Sequence, residues 1–206
     1  MQPEQSGQEI TALMGGTLID GTGAAPAPGS VVLIKGGVID AVGPRKLTDL
    51  PPGCQVIDVS HKTVMPGMMD LHVHLCMGEE DLVVPRGGLL PGLDQPLAMH
   101  GLKAFARARR SLEMGFTTLR DVGDFGYMSV ALRDAIKAGL VEGPRILSSG
   151  QLLTTTGGHA DFMPLWLNRS DDVVNVADGV DGVLKAVRRQ VKMRTDWVKF
   201  FATGGI

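Results

Sequence analysis

The chain has 206 residues, 44% of them hydrophobic and 20% charged, with a formal net charge of −2. This is the composition of an ordinary soluble globular protein, and it gives no reason to expect nucleic acid or a membrane surface as a partner. With two cysteines, no basic-then-apolar leader and no apolar run long enough to span a bilayer, the expected setting is the reducing cytoplasm, without a disulfide framework.

From Glu9 to about Ser60 the pattern is of short strands separated by glycine. Residues 10–20, 30–34, 37–42 and 55–59 carry β-branched side chains or alternation, with turns expected at 15–16, 21–29, 36–37 and 51–53. Residues 31–43 read as a hairpin closed by glycine. The expectation is a small antiparallel β unit that carries no chemistry and buries little core alone.

The next stretch, 64–76, reads Val-Met-Pro-Gly-Met-Met-Asp-Leu-His-Val-His-Leu-Cys. Pro66-Gly67 acts as a stop, so the strand enters from a turn. Asp70, His72 and His74 recur at every second residue with Leu71, Val73 and Leu75 between them, which on a β-strand predicts the polar three on one face. Two imidazoles side by side at a strand end can grip one divalent metal ion through their ring nitrogens. Cys76, next on that face, could ligate a soft metal or pack as a small hydrophobe. Residues 77–95, rich in Gly and Pro, form a long connection and a candidate lid or pocket wall.

Beyond it helices and strands alternate. Leu97, Gly101, Ala104, Phe105, Ala108 and Leu112 keep a three-four spacing that predicts a helix over 96–114, with His100 as a surface or packing residue beside the stripe. Strands follow at 116–122, 145–153 and 197–202, and helices at 127–138 and 178–193. Such alternation predicts an α/β protein with a parallel sheet of βαβ units. Four such strands, counting the one that carries His72, match the first half of a (β/α)8 TIM-type barrel, whose sites lie at the C-terminal strand ends.

Those ends carry the remaining candidates. Lys199, in Val-Lys-Phe-Phe-Ala-Thr-Gly-Gly, sits among large apolar neighbours, where an ammonium is costly. A neutral amine there can add carbon dioxide and become a carbamate, whose two oxygens can bridge two metals; an ordinary lysine with its head in solvent is the alternative. Asp121 closes the second barrel strand, either as support for the site or in an ion pair with Arg120.

The run Pro-Gly-x-x-Asp-x-His-x-His over 66–74 resembles the first barrel strand of the metal-dependent amidohydrolase superfamily. Within it the chain is most similar to the imidazolonepropionase and prolidase-type dipeptidase branch. The resemblance implies that His72 and His74 bind the more buried metal, with Asp70 orienting a ligand or its strand neighbours. It implies that Lys199 is carboxylated and bridges two Zn²⁺ ions whose shared water becomes hydroxide near neutral pH. His159, in the Thr-Gly-Gly-His turn after the third strand, would meet the substrate, or is satisfied by the turn backbone. Residues 1–64 would be the N-terminal part of a flanking β-sandwich and 65–206 the first four βα units of the barrel.

The implied activity is hydrolysis of an amide bond in a dipeptide or N-acyl amino acid, amide-linked toxins and xenobiotics included, by a metal-activated hydroxide. A mononuclear, imidazolonepropionase-like cyclic amidohydrolase shares the fold; a non-catalytic scaffold on the same fold is the reading from another class. A closed barrel takes ~250 residues. A complementary C-terminal half of the barrel is therefore expected as a continuation or a partner, in a homo-oligomer, and the resemblance implies that two further metal-binding histidines and a catalytic Asp lie beyond Ile206.

Overall fold

A computed structural model describes residues 9–44, 50–78, 95–161, 166 and 174–204, in two compact units, Met1–Pro66 and Gly67–Ile206. The first unit holds β1 (Ile10–Leu18), β2 (Ala27–Lys35), β3 (Val38–Pro44), β4 (Gln55–Asp58) and β5 (Thr63–Val64). They form one sheet in the order β3-β2-β1-β4, with β5 also on β1. Gly36-Gly37 closes the β2–β3 hairpin, Lys35 pairing with Val38. Ala12, Val31 and Leu33 make its buried centre.

Two expectations fail in this unit. It is not purely antiparallel: after β3 the chain pairs next at the opposite edge of the sheet, so β4 and β5 both run parallel to β1. Nor is Gly15-Gly16 a turn, because β1 runs through it with a register shift. Gly15 has φ +87°, and a Cβ there would stand 2.6 Å from Ser60 Oγ. Glycine at this position lets a bulge form without ending the strand.

In the second unit β6 (Met68–Val73), β7 (Phe116–Asp121) and β8 (Arg145–Ser148) pair in parallel and in chain order. The connections contain α1 (Leu97–Glu113) and α2 (Met128–Lys137). Their core joins Leu119 of β7 and Ile146 of β8 to Ala104 and Ala108 of α1, Leu132 of α2, and Leu75 with Cys76 beyond β6. Ala104 and Ala108, one turn apart and fully buried, let the α1 backbone approach closely.

The expected strand over 145–153 is broken. β8 stops at Ser148, Gly150 has φ +63°, and the Gly150 N–H turns onto Ser148 Oγ at 3.0 Å. Pairing resumes as β9 (Leu153–Thr154) parallel to β10 (Asn175–Val176), a strand too short to show a period in the sequence. α3 (Gly179–Lys192) follows. The strand expected over 197–202 shrinks to one bridge, Leu153 with Phe200, because two-residue β9 offers no longer ladder. Most of the candidate lid, residues 79–94, lies outside the described residues. Among the described residues no helix is long and apolar enough to cross a membrane.

Candidate metal centre

The site begins where β6 ends. Between Asp70 and Val73 this strand takes three steps while β7 takes two, from Leu119 to Asp121. The predicted strict alternation is therefore interrupted, as at a bulge. The strand brings together exposed His72 and part-buried His74, ring centroids 5.6 Å apart and edge-on at 68°. Asp70 Oδ1 accepts the His72 backbone N–H at 3.0 Å. Past His74 the alternation stops, since Leu75 and Cys76 are buried in succession. Cys76 joins the apolar core, and burial, followed by the charges of Asp124 and Asp121, pushes its thiol far above the ordinary range. The thiolate that a metal would need is thus disfavoured.

His74 Nδ1 lies 3.0 Å from the Gly123 carbonyl oxygen. A carbonyl only accepts, so Nδ1 carries the proton and Nε2 keeps its lone pair. Burial lowers the pKa of His74, the Gly123 bond opposes this, and the charges of His72 and Lys199 lower it further. The net shift favours the neutral form that metal ligation requires. Gly123 leaves no room for a side chain: a Cβ would stand 2.2 Å from Leu152 Cδ2 and 3.3 Å from His74 Cε1.

Under this bond lies a buried polar network. Asp121 is fully buried; its Oδ2 accepts the Leu75 N–H at 2.7 Å and its Oδ1 the Gly123 N–H at 3.1 Å. The ion pair weighed for it with Arg120 does not form among the interactions of Arg120, whose Nε donates to Leu71 O at 2.6 Å and whose guanidinium lies over Trp197. Asp124, also fully buried, accepts the Ser129 N–H at 2.7 Å and the Ser129 hydroxyl on Oδ2, and Ser129 Oγ lies 2.6 Å from Ser148 Oγ. Sequence reasoning named Asp121 as possible support for the site but gave no role to Gly123, Asp124 or Ser129. The signal available was the dense run Asp-Val-Gly-Asp at the strand end.

Burial pushes Asp121 up to about 8, with the charge of Asp124 adding to it, and pushes Asp124 up to about 6, both against the pull of the N–H donors. A carboxyl with a folded value above its ordinary 3.8 stabilises the fold when protonated, fully below pH 3.8, and that contribution is lost as pH rises through the folded value. The urea midpoint is therefore expected to fall from pH 4 through pH 8, with Asp124 accounting for about 3 kcal/mol of the loss at about 1.4 kcal/mol per pH unit. Asp124→Asn, uncharged throughout, is expected to flatten the lower part of that slope; an unchanged slope would disprove the assignment.

Lys199 is positioned by backbone. Ser148 O accepts the N–H groups of Asp196 and Trp197 at 2.7 and 3.2 Å, and Leu153 exchanges bonds with Lys199 O and the Phe201 N–H at 3.0 Å each. Asp196 Oδ2 also accepts the Ser148 N–H at 2.8 Å and pairs with Arg133 at 2.7 Å. Lys199 is half-buried rather than enclosed: Phe201 is half-buried beside it, but Trp197 and Phe200 are 52% and 65% exposed, because the single bridge leaves this segment without a second neighbour among the described residues. Lys199 Nζ lies 5.3 Å from the centre of the Phe201 ring, and the His159 ring packs edge-on against the same ring at 4.4 Å. The turn that carries His159 is pinned by Asp161, which accepts the Gly157 N–H at 2.8 Å, and by Asp178, which accepts the Thr156 N–H at 2.9 Å.

His72 lies at the end of β6 and His74 just past it, His159 lies in the turn after β9, and Lys199 lies one residue before the bridge to Leu153. Two touch each other, His72 and His74; Lys199 is close enough for its charge to act on His74; and His159 reaches Lys199 only through Phe201. Among the described residues no three His, Cys, Asp or Glu side chains gather to hold a metal ion. Two neighbouring imidazoles, one with its tautomer set, nevertheless fit a divalent ion as part of a ligand set. A cavity of about 550 Å³ against α3, lined by Asn175, Asp178, Lys185, Arg189 and Lys192 among others, contains none of these four.

Residues 63–206 match the amidohydrolase family, whose members generally use metal ions. Ochratoxinase of Aspergillus niger is 29% identical over 216 aligned residues, 96% of this chain and 43% of that enzyme. A prolidase solved with N-methylphosphonate-L-proline is 35% identical with a TM-score of 0.79, over 96% of this chain and 47% of its own. A Xaa-Pro dipeptidase solved with methionine in its active site is 32% identical with a TM-score of 0.80, over 96% and 48%. The chain spans about half the length of the relatives it matches. Its parallel βα units are part of their TIM-barrel-type fold. On the match over 63–206, the chain belongs to the amidohydrolase family.

Proposed function

We propose that the protein is a metal-dependent hydrolase of the amide bond in a dipeptide or N-acyl amino acid, amide-linked toxins included. The observation that carries this reading is the pair of imidazoles 5.6 Å apart, with His74 Nδ1 tied to the Gly123 carbonyl and its Nε2 left for an ion. The substrate class is supported by relatives named as a prolidase, a Xaa-Pro dipeptidase and an ochratoxinase. His72, His74 and Lys199 would hold the metal, zinc by the preference of imidazole and anionic oxygen ligands. When bound, such a metal lowers the pKa of water and polarises a carbonyl.

The chain's own residues would do the rest. The Gly123 carbonyl keeps the proton on His74 Nδ1, so that Nε2 does not compete for it. Lys199, once its neutral amine has added carbon dioxide and released a proton, would offer two carbamate oxygens as metal ligands. His159, packed edge-on against Phe201, would donate to a substrate carbonyl or carboxylate. In this reading residues 1–64 belong to a flanking β-sandwich and 65–206 to the first four βα units.

Metal analysis of the purified protein, with a screen of dipeptides and N-acyl amino acids with and without added Zn²⁺, tests it. The expected result is about two ions per subunit, lost on Lys199→Ala and partly restored by a short carboxylic acid. One ion, retained in Lys199→Ala, would replace the binuclear reading with a mononuclear one. A protein that takes up no metal and cleaves no amide would end the proposal.

A further inference from the structure

We propose that Asp121 is a positioning residue of the candidate metal centre, acting through Gly123 to hold His74 with Nδ1 protonated and Nε2 free; the inference rests on the metal reading above. The fully buried carboxyl group bonds two separate segments: Oδ2 accepts the Leu75 N–H at 2.7 Å and Oδ1 the Gly123 N–H at 3.1 Å. Leu75 follows His74 in the chain, and Gly123 is the residue whose carbonyl accepts from His74 Nδ1 at 3.0 Å. One side chain therefore clips together the two loops between which that bond forms. The opposite side of the same turn is held from α1, where Arg107 Nη1 donates to Leu75 O at 2.8 Å and His100 Nδ1 to Cys76 O at 3.2 Å. With Leu75 and Cys76 already fixed, the link that Asp121 adds is the one to Gly123.

The two bonds require two acceptor oxygens. Asparagine has one, so its amide would meet either the Leu75 or the Gly123 N–H donor to donor. Full burial closes the site to bulk water, so the unmet N–H has no ready substitute. Where it is the Gly123 N–H that goes unmet, Gly123 is held through its neighbours' bonds, Val122 N–H to Val73 O and Asp124 N–H to Gly150 O at 3.0 Å each, and the carbonyl that selects the His74 tautomer is free to turn. Metal-ligating histidines depend on such partners, and losing one weakens metal binding about 10- to 100-fold.

The test uses the isotope-labelled chain without metal at mildly alkaline pH, reading each histidine tautomer by proton–nitrogen correlation, and then zinc affinity by competition with a chelator. The parent is expected to show His74 as the Nδ1–H tautomer. Asp121→Asn is expected to mix the tautomers of His74 alone and to weaken zinc binding about 10- to 100-fold. Asp124→Asn, equally buried but bonded to Ser129 rather than Gly123, is expected to change stability and leave both readouts as in the parent, which a merely structural role for Asp121 would not separate. An Nε2–H tautomer in the parent overturns the proposal without any variant having to fold. So does an Asp121→Asn chain whose His74 tautomer is unchanged and whose zinc affinity stays within about twofold of the parent. If the parent takes up no zinc while Asp121→Asn still mixes the His74 tautomers, the positioning role stands and the metal reading falls.

Discussion

His72→Ala is expected to strip the protein of bound metal and to cut kcat/KM by about a thousandfold or more while leaving stability within about 0.5 kcal/mol. The ring is exposed at the end of β6, its backbone N–H is satisfied by Asp70, and its contact is the edge of His74. Little packing is lost with it. What is lost is a nitrogen ligand, and Lewis-acid stabilisation of several kcal/mol corresponds to a factor of about 10³ at about 1.4 kcal/mol per decade. His74→Ala is expected to match this loss of metal and activity but to unfold more easily, by about 1–3 kcal/mol, because the Gly123 carbonyl is left without its donor in a part-buried place. Metal content, kcat/KM and urea unfolding on both variants separate the two effects. Full metal and full activity in His72→Ala would remove this strand from the site.

The helices and the central strands were legible because their signals are local. Three-four spacing bounded by Pro96 and Gly115 predicted α1 to within a residue at each end, and Gly139 after the second stripe did the same for α2. The His-x-His pair was legible because it needs only two neighbours in sequence. The exact facing of Asp70 was not, since the irregularity in β6 depends on its register with β7. Residues whose roles arise from contacts across loops were harder to read. Asp121 was weighed both as support for the site and as an ion-pair partner of Arg120, its sequence neighbour, but the partners it would reach were not legible: Arg120 lies on the other face of β7 and bonds Leu71 O, while Asp121 reaches back to Leu75, 46 residues away. Gly150, whose turn ends β8, and two-residue β10 leave no periodic trace for the same reason.

Leu119→Ala is expected to have the largest effect on stability of any single truncation in the βα unit, about 3–5 kcal/mol by urea unfolding. Leu119 is 1% exposed on the central strand β7, paired on one side with Asp70 of β6 and on the other with Ile146 of β8. Both flanking strands fix its backbone, so the strand cannot sag into the space left. From the helix side it is met by the fully buried Ala104 and Ala108 of α1 and by Leu132 of α2, and alanines have no longer side chain with which to refill the hole. The lost transfer energy and the unfilled cavity therefore add rather than offset. Two residues further along the same face stands Asp121, so loosening β7 also loosens the clip between Leu75 and Gly123. For a domain whose total stability is on the order of 5–15 kcal/mol, this is a third or more of the whole. Leu119→Met, nearly equal in volume, is expected to cost under about 1.5 kcal/mol. A Leu119→Ala loss no larger than that of Leu119→Met would mean that the cluster is not closely packed, and the carboxylate two residues along β7 would then lack the rigid strand on which its reach to Gly123 depends.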